Sequence, residues 1–170
     1  MFNSKSDDLM DQYIEDDNIM HEFIDTYIES TKFKQDANLL VITFEHLLKL
    51  KYCTNDRNYN GWTTSVKHSL VKLYNSICAD KHIKLGAFAD DDKYGRYFND
   101  ESVIQKYYND SIKKYKDLTK TYSDLKEGLQ YIPSDCPWKY SELMNSLYIN
   151  DDNEIVPDID NLISYLPDMN

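Results

Sequence analysis

A chain of 170 residues with 41% apolar, 14% aromatic and 29% charged side chains can build one folded domain with a real core. It is too apolar to be disordered by composition, and no run approaches the roughly 18 apolar residues of a membrane span. Only 4 Gly and 4 Pro argue against the many tight turns of a sandwich or barrel, and a net charge of -11 has the wrong sign for wholesale binding of a phosphate backbone.

The chain opens acidic. Before Lys32, nine acids (Asp7, Asp8, Asp11, Glu15, Asp16, Asp17, Glu22, Asp25 and Glu29) stand against Lys5 alone. Asp7 to Ser30 reads as two short helices or one bent one. Leu9, Met10, Tyr13 and Ile14 form one apolar stripe; Ile19, Met20, Phe23, Ile24, Tyr27 and Ile28 form the next. Asp16 or Asp17 suits the cap of the second segment. Lys32 to Tyr52 is the most apolar helix, with Ala37, Leu40, Val41, Phe44, Leu47 and Leu48 at three- and four-residue spacing, which predicts a central position. Thr54 to Gly61 reads as a loop, and Trp62 to Ala79 as a helix turning Trp62, Val66, Leu70, Leu73 and Ile77 inward.

Lys81 to Asn99 holds Gly86, Gly95 and an Asp90-Asp91-Asp92 run, with room for a short helix around His82 to Phe88. Asn99 then suits the cap of a long helix ending near Gly128. Its seam of Ile104, Tyr108, Ser111, Tyr115, Leu118, Tyr122, Leu125 and Leu129 alternates spacings of four and three. Gly128 fits a C-terminal cap. An extended loop, Tyr131 to Trp138, carries two prolines, and a short helix follows around Tyr140 to Leu147. Residues 150–170 read as an acidic tail with six acids and no base, outside the 1–149 domain. Asp158 can cap a last short helix there through Ile159, Leu162, Ile163 and Leu166. The expectation is an all-α, single-domain bundle of about six helices.

Phe44 to Tyr52, with the run Glu45-His46-Leu47-Leu48-Lys49, and Trp62 opening the next helix resemble a bacterial family catalogued as domain of unknown function number twenty-nine. Gly128-Leu129 followed by Ile132-Pro133-Ser134-Asp135-Cys136-Pro137-Trp138 is similar to that family's Gly-Leu and Phe-Pro-x-x-Cys-Pro-Tyr segments, and a short helix follows in both. The resemblance covers about residues 7–149. It implies an all-helical fold and no established activity. This chain departs from the pattern in having only Arg57 where the family's loop is rich in Arg.

Several constellations bear on chemistry. Asp90 to Glu101 matches a twelve-residue calcium loop at Asp90, Asp92, Gly95 and Glu101, but Tyr94 stands at a ligand position. The competing reading is an acidic connector. His46 and His68, on neighbouring predicted helices, can pair; the competing reading is a histidine bonded to backbone or carboxylate. Cys53 and Cys136 offer thiols, but nothing in the sequence orients a histidine toward either. With Cys78 the cysteines are odd in number and far apart, and Met1 to Met20 lacks the features of a signal peptide, so a reduced, cytoplasmic setting is expected. Lys106, Lys113 and Lys120 recur every seven residues beside Tyr108 and Tyr115. That stripe fits a single-strand nucleic-acid face, a solvated surface, or a dock for the chain's own acidic helices.

Fifteen tyrosines and the acidic ends favour protein binding over catalysis. The expected function is a non-enzymatic module without a cofactor. Its acids, Asp7 to Glu29 with Asp151, Asp152 and Glu154, would engage a basic site on a protein partner. The most concrete form is an inhibitor that competes with nucleic acid for that site, as small phage or mobile-element counter-defence proteins do. The alternatives are a metal-dependent enzyme or calcium binder at Asp90, Asp92 and Glu101 or at His46 and His68, and a single-strand binder through the lysine stripe.

Overall fold

The computed structural model describes residues 19, 31–53, 58–77, 85, 98 and 100–170. The larger compact unit is Ala37–Asn170; residues up to Asp36 fall in a separate unit, of which residue 19 and the first turns of one helix are described. The described residues are mostly helical, in a bundle of short and long helices with one small hairpin.

Helix α1 is Thr31–Tyr52 and helix α2 is Tyr59–Ile77. In α1 the predicted stripe of Ala37, Leu40, Val41, Phe44, Leu47 and Leu48 is buried, and so are Thr43, Glu45, Lys49 and Leu50. Burial around most of its circumference makes α1 central. Its polar members are satisfied internally. Thr43 Oγ1 donates to Leu39 O at 2.8 Å and meets Ser69 Oγ of α2 at 2.7 Å, while Lys49 and Glu45 pair at 2.8 Å one turn apart. Helix α2 starts three residues earlier than expected, so Gly61 lies in its first turn rather than in a loop. Val66, Leu70 and Leu73 are buried as predicted, and Trp62 is half-buried.

Helix α3, Glu101–Thr119, is shorter than the predicted long helix. Asp100, not Asn99, is its N-cap: the carboxylate accepts from Ser102 N at 2.9 Å and Ser102 Oγ at 2.7 Å, which holds its pKa below the ordinary value. Ile104, Tyr108, Ser111 and Tyr115 are buried, as the seam predicts. The helix then stops. Residues 119–123 are Thr-Lys-Thr-Tyr-Ser, of which all but Lys120 are weaker helix formers, and Thr119 Oγ1 bonds back to Lys116 O at 2.6 Å. Tyr122, assigned to the seam, is 50% exposed. A 3-10 helix, Ser123–Tyr131, follows and packs on α3, with Leu125 and Gly128 buried at the three-residue spacing of that geometry. Gly128 therefore does not cap α3. It lets the 3-10 helix close on Tyr52: a Cβ there would overlap Tyr52 Cβ and lie 2.8 Å from the Tyr115 hydroxyl.

Helix α4, Tyr140–Asn145, is short and mostly buried; Glu142 Oε2 accepts from Lys139 N at 2.8 Å, the return half of a capping box. Strands β1, Leu147–Ile149, and β2, Ile155–Pro157, pair antiparallel with Tyr148 opposite Val156, and β2 packs on α2. Helix α5, Ile159–Ile163, is capped by Asp158, whose carboxylate accepts from Asn161 N at 3.1 Å. Residues 150–170 thus carry a strand as well as the expected helix. They bury Leu162 and Leu166, and they belong to the same unit as residues 37–149.

The centre of the larger unit is aromatic. The Phe44 and Trp138 rings stack at 5.5 Å, Tyr108 meets Phe44 edge-on at 5.8 Å, and Trp138 Nε1 donates to Leu162 O at 2.8 Å. Four stretches of chain converge on that cluster.

Candidate functional site

The buried tyrosines are structural ties. The hydroxyl of Tyr108 donates to Pro133 O at 2.6 Å and that of Tyr115 to Leu125 O at 2.7 Å. Tyr52 donates to Pro167 O at 2.9 Å and Tyr131 O at 3.2 Å. Each hydroxyl ties α1 or α3 to a carbonyl of the 3-10 helix or of loop backbone. Burial pushes all three phenols above their ordinary pKa, with Tyr52 at about 12, where burial acts first and the Asp168 carboxylate second. This corrects the basic-aromatic face. Tyr108 and Tyr115 are buried and present no ring on which a base can stack; of that set only Lys106, Lys113 and Lys120 are exposed.

The thiols and histidines are placed as follows. Cys136 is half-buried and its Sγ donates to Trp138 O at 3.4 Å; burial raises its pKa to about 12, so the thiol stays protonated and is a poor nucleophile. Cys53 Sγ lies 3.8 Å from Asp124 Oδ2. His46 Nδ1 sits 2.8 Å from Ile42 O, a contact only an N–H can make, so Nδ1 carries the proton. Its pKa is lowered, first by burial and further by Lys49 and Lys114, against the Ile42 carbonyl and Glu45. His46 is thus bonded to the carbonyl of its own helix, while His68 is exposed on α2. Among the described residues no three His, Cys, Asp or Glu side chains are grouped to hold a metal ion. Glu101 is exposed in the first turn of α3, and Asp90 and Asp92 lie outside the described residues.

Of the predicted acidic face, Asp7, Asp8, Asp11, Glu15, Asp16, Asp17, Glu22, Asp25 and Glu29 also lie outside the described residues. The C-terminal acids divide into two groups. Glu154 pairs with Lys67 of α2 at 2.9 Å, and Asp168 pairs with Lys51 of α1. Glu154 was expected on the partner-binding face; it instead pins the hairpin to α2, with the modest strength of an exposed pair. Asp151 and Asp152 are exposed at the hairpin tip.

That tip carries a feature the sequence reading missed. Asn150 N–H donates to Glu154 O at 2.9 Å, Asn150 Oδ1 accepts from Glu154 N at 2.9 Å, and Asn153 N–H donates to Asn150 O at 3.0 Å. Asn153 takes φ 60, the left-handed region that Asn tolerates. The turn is therefore fixed by three hydrogen bonds. Immediately before it, Tyr148 and Ile149 are 49% and 58% exposed. The signal was present in the sequence: Leu-Tyr-Ile and Ile-Val-Pro flank a polar five-residue turn, the pattern of a hairpin.

Two concavities lie among the described residues. One of about 280 Å³ is lined by Lys49, Trp62, Cys53, Leu118, Tyr122 and Asp124; there Lys49 is committed to Glu45 and lies 5.9 Å over the Trp62 ring. The other, of about 450 Å³, lies between α3 and the end of the 3-10 helix with the segment that follows it.

No protein-family profile, curated protein or solved structure matches this chain.

Proposed function

We propose that this chain is a non-enzymatic protein-binding module whose contact surface is the β1–β2 hairpin, directed at a basic site on its partner. The observation that carries the reading is the half-exposed pair Tyr148 and Ile149, running directly into exposed Asp151 and Asp152 on a turn fixed by its own hydrogen bonds. An aromatic and a branched aliphatic side chain supply apolar anchors at low entropy cost. The adjacent carboxylates choose a cationic rim around the socket that receives them. A pre-ordered turn binds without first losing conformational freedom.

A site built to hold a phosphate backbone has that cationic character. In the specific form of the proposal the partner is a nucleic-acid-binding protein and the hairpin excludes its nucleic acid, as a counter-defence inhibitor would. The acids of residues 7–29 belong to the proposal on sequence grounds alone. The likeness to the family of unknown function, which carries no activity, is part of the same proposal.

A photo-crosslinking phenylalanine at position 148, introduced in cells of the source organism, tests this. The expected result is one dominant crosslinked protein with a basic surface. Its binding to the purified chain should weaken about tenfold in Y148A, the equivalent of about 1.4 kcal/mol. It should weaken further in D151K/D152K, fall with rising salt and compete with nucleic acid. A partner whose binding ignores both the hairpin variants and the salt concentration would count against the proposal.

A further inference from the structure

The groove of about 450 Å³ lies along one face of α3. Asn109, Ile112, Lys113 and Lys116 line it from that helix, at spacings of three, four and seven that place them on a single stripe beside the buried seam. Leu129, Ile132 and Pro133 form the opposite wall.

The walls are tied together. Tyr108 of α3 donates to Pro133 O at 2.6 Å, Gln105 Nε2 donates to Ser134 O at 2.9 Å, and Gln105 Oε1 accepts from Cys136 N at 2.8 Å. The concavity is therefore preformed, and its volume lies within the range of small-ligand sites.

Its chemistry is one-sided. Ile112, Leu129, Ile132 and Pro133 give it an apolar floor, Asn109, Ser134 and two lysines give it a polar rim, and no carboxylate lines it. Four other lysines are paired: Lys49 with Glu45, Lys51 with Asp168, Lys67 with Glu154 and Lys120 with Asp117. Lys113 and Lys116 are exposed and make no ion pair among the described residues. The smaller cavity lacks this asymmetry, since Asp124 lines it and its lysine is already paired. An uncompensated cationic rim over an apolar floor, on a molecule of net charge -11, selects for a negative head on a hydrophobic body.

We propose that this groove binds a soluble anionic amphiphile as a monomer: a medium-length acyl or alkyl chain lying on Ile112, Leu129, Ile132 and Pro133, with its carboxylate or phosphate between Lys113 and Lys116. The site is separate from the hairpin and does not depend on the reading of the hairpin as a contact surface.

Amide chemical-shift mapping on the full chain tests it, with sodium decanoate and decyl phosphate below their micellar concentrations, and with decanol and acetate as single-feature controls. Both amphiphiles are expected to bind, with shifts centred on residues 109–116 and 129–134. Decanol and acetate should bind at least about tenfold more weakly, each lacking one feature of the ligand. K113E/K116E should weaken decanoate about tenfold or more while its thermal melt stays that of the parent, because both side chains are exposed. I112Q, which keeps the lysines, should weaken the amphiphiles while leaving the weak acetate response unchanged. The proposal is overturned if decanol binds as well as decanoate, if K113E/K116E leaves the affinity unchanged, if the shifts fall outside the groove, or if binding occurs only to anionic lipid vesicles.

Discussion

Tyr52 shows how far a single side chain can depart from its compositional reading. Fifteen tyrosines in a small acidic chain suggest contact residues. Yet Tyr52 is buried and its hydroxyl serves two carbonyls, those of Pro167 and Tyr131. Periodicity places a tyrosine inside, but it does not say which distant carbonyl waits for the hydroxyl, because the partners, at the end of the 3-10 helix and past α5, lie 79 and 115 positions away. Tyr52→Phe should lower unfolding free energy at pH 8 by about 0.5–1.5 kcal/mol, read by urea denaturation. The pH dependence has a definite sign. The folded phenol titrates at about 12, above the ordinary 10.0, so its contribution is complete below pH 10 and is lost as pH rises toward 12. The gap between wild type and Tyr52→Phe should therefore narrow across that window; a gap that stays constant would remove the hydroxyl from the account. Gly128 is the second case. Glycine commonly ends helices, so the sequence alone suggests a cap, whereas its role here is contact with Tyr52 and Tyr115. Gly128→Ala should cost about 1–3 kcal/mol through overpacking, and a neutral result by the same denaturation measurement would refute the close approach.

At the scale of elements, the apolar stripe of α1 was fully legible because burial on a long helix repeats every three to four residues. The same rule misled at the end of α3. Leu118, Tyr122, Leu125 and Leu129 continue the heptad arithmetic, but the run from Thr119 to Ser123 resists the α-helix, and the chain resumes as a 3-10 helix whose inward positions fall three apart. A spacing of three is shared by both geometries, so Leu125 is buried under either reading while Tyr122 is not. The hairpin was missed for the opposite reason. Strands of three residues are too short to show alternation, and the acids between and after them make charge the dominant pattern of the segment. The consequence bears on the proposed function: Tyr148 and Ile149, its proposed anchors, stand on an element that composition and periodicity did not reveal.

For the molecule as a whole, the uneven charge was plain from the sequence, but its destination was not. Six acids after Ile149 without a base suggest an appendage held in water. The chain instead returns: Glu154 reaches Lys67, Asp168 reaches Lys51, Trp138 donates to Leu162 O, and Leu162 and Leu166 are buried. Charge patterning could not announce this. The two ion pairs are exposed on one side and individually weak, while the interactions that matter more are two leucines and two backbone carbonyls, which carry no charge. The contrast supplies a decisive comparison. Neutralising the acids in E154Q/D168N removes two exposed pairs and should shift stability by no more than about 1–2 kcal/mol. Leu162→Ala leaves every charge in place but opens a void at a fully buried position, and should cost about 2–5 kcal/mol, a large share of the roughly 5–15 kcal/mol that holds a typical domain together. Urea denaturation of the two variants separates the cases. If the segment after Ile149 is integral to the fold, the leucine outweighs both carboxylates. If it were an appendage held on by charge, the order would reverse, and the hairpin that presents Tyr148 and Ile149 would have no fixed base from which to bind.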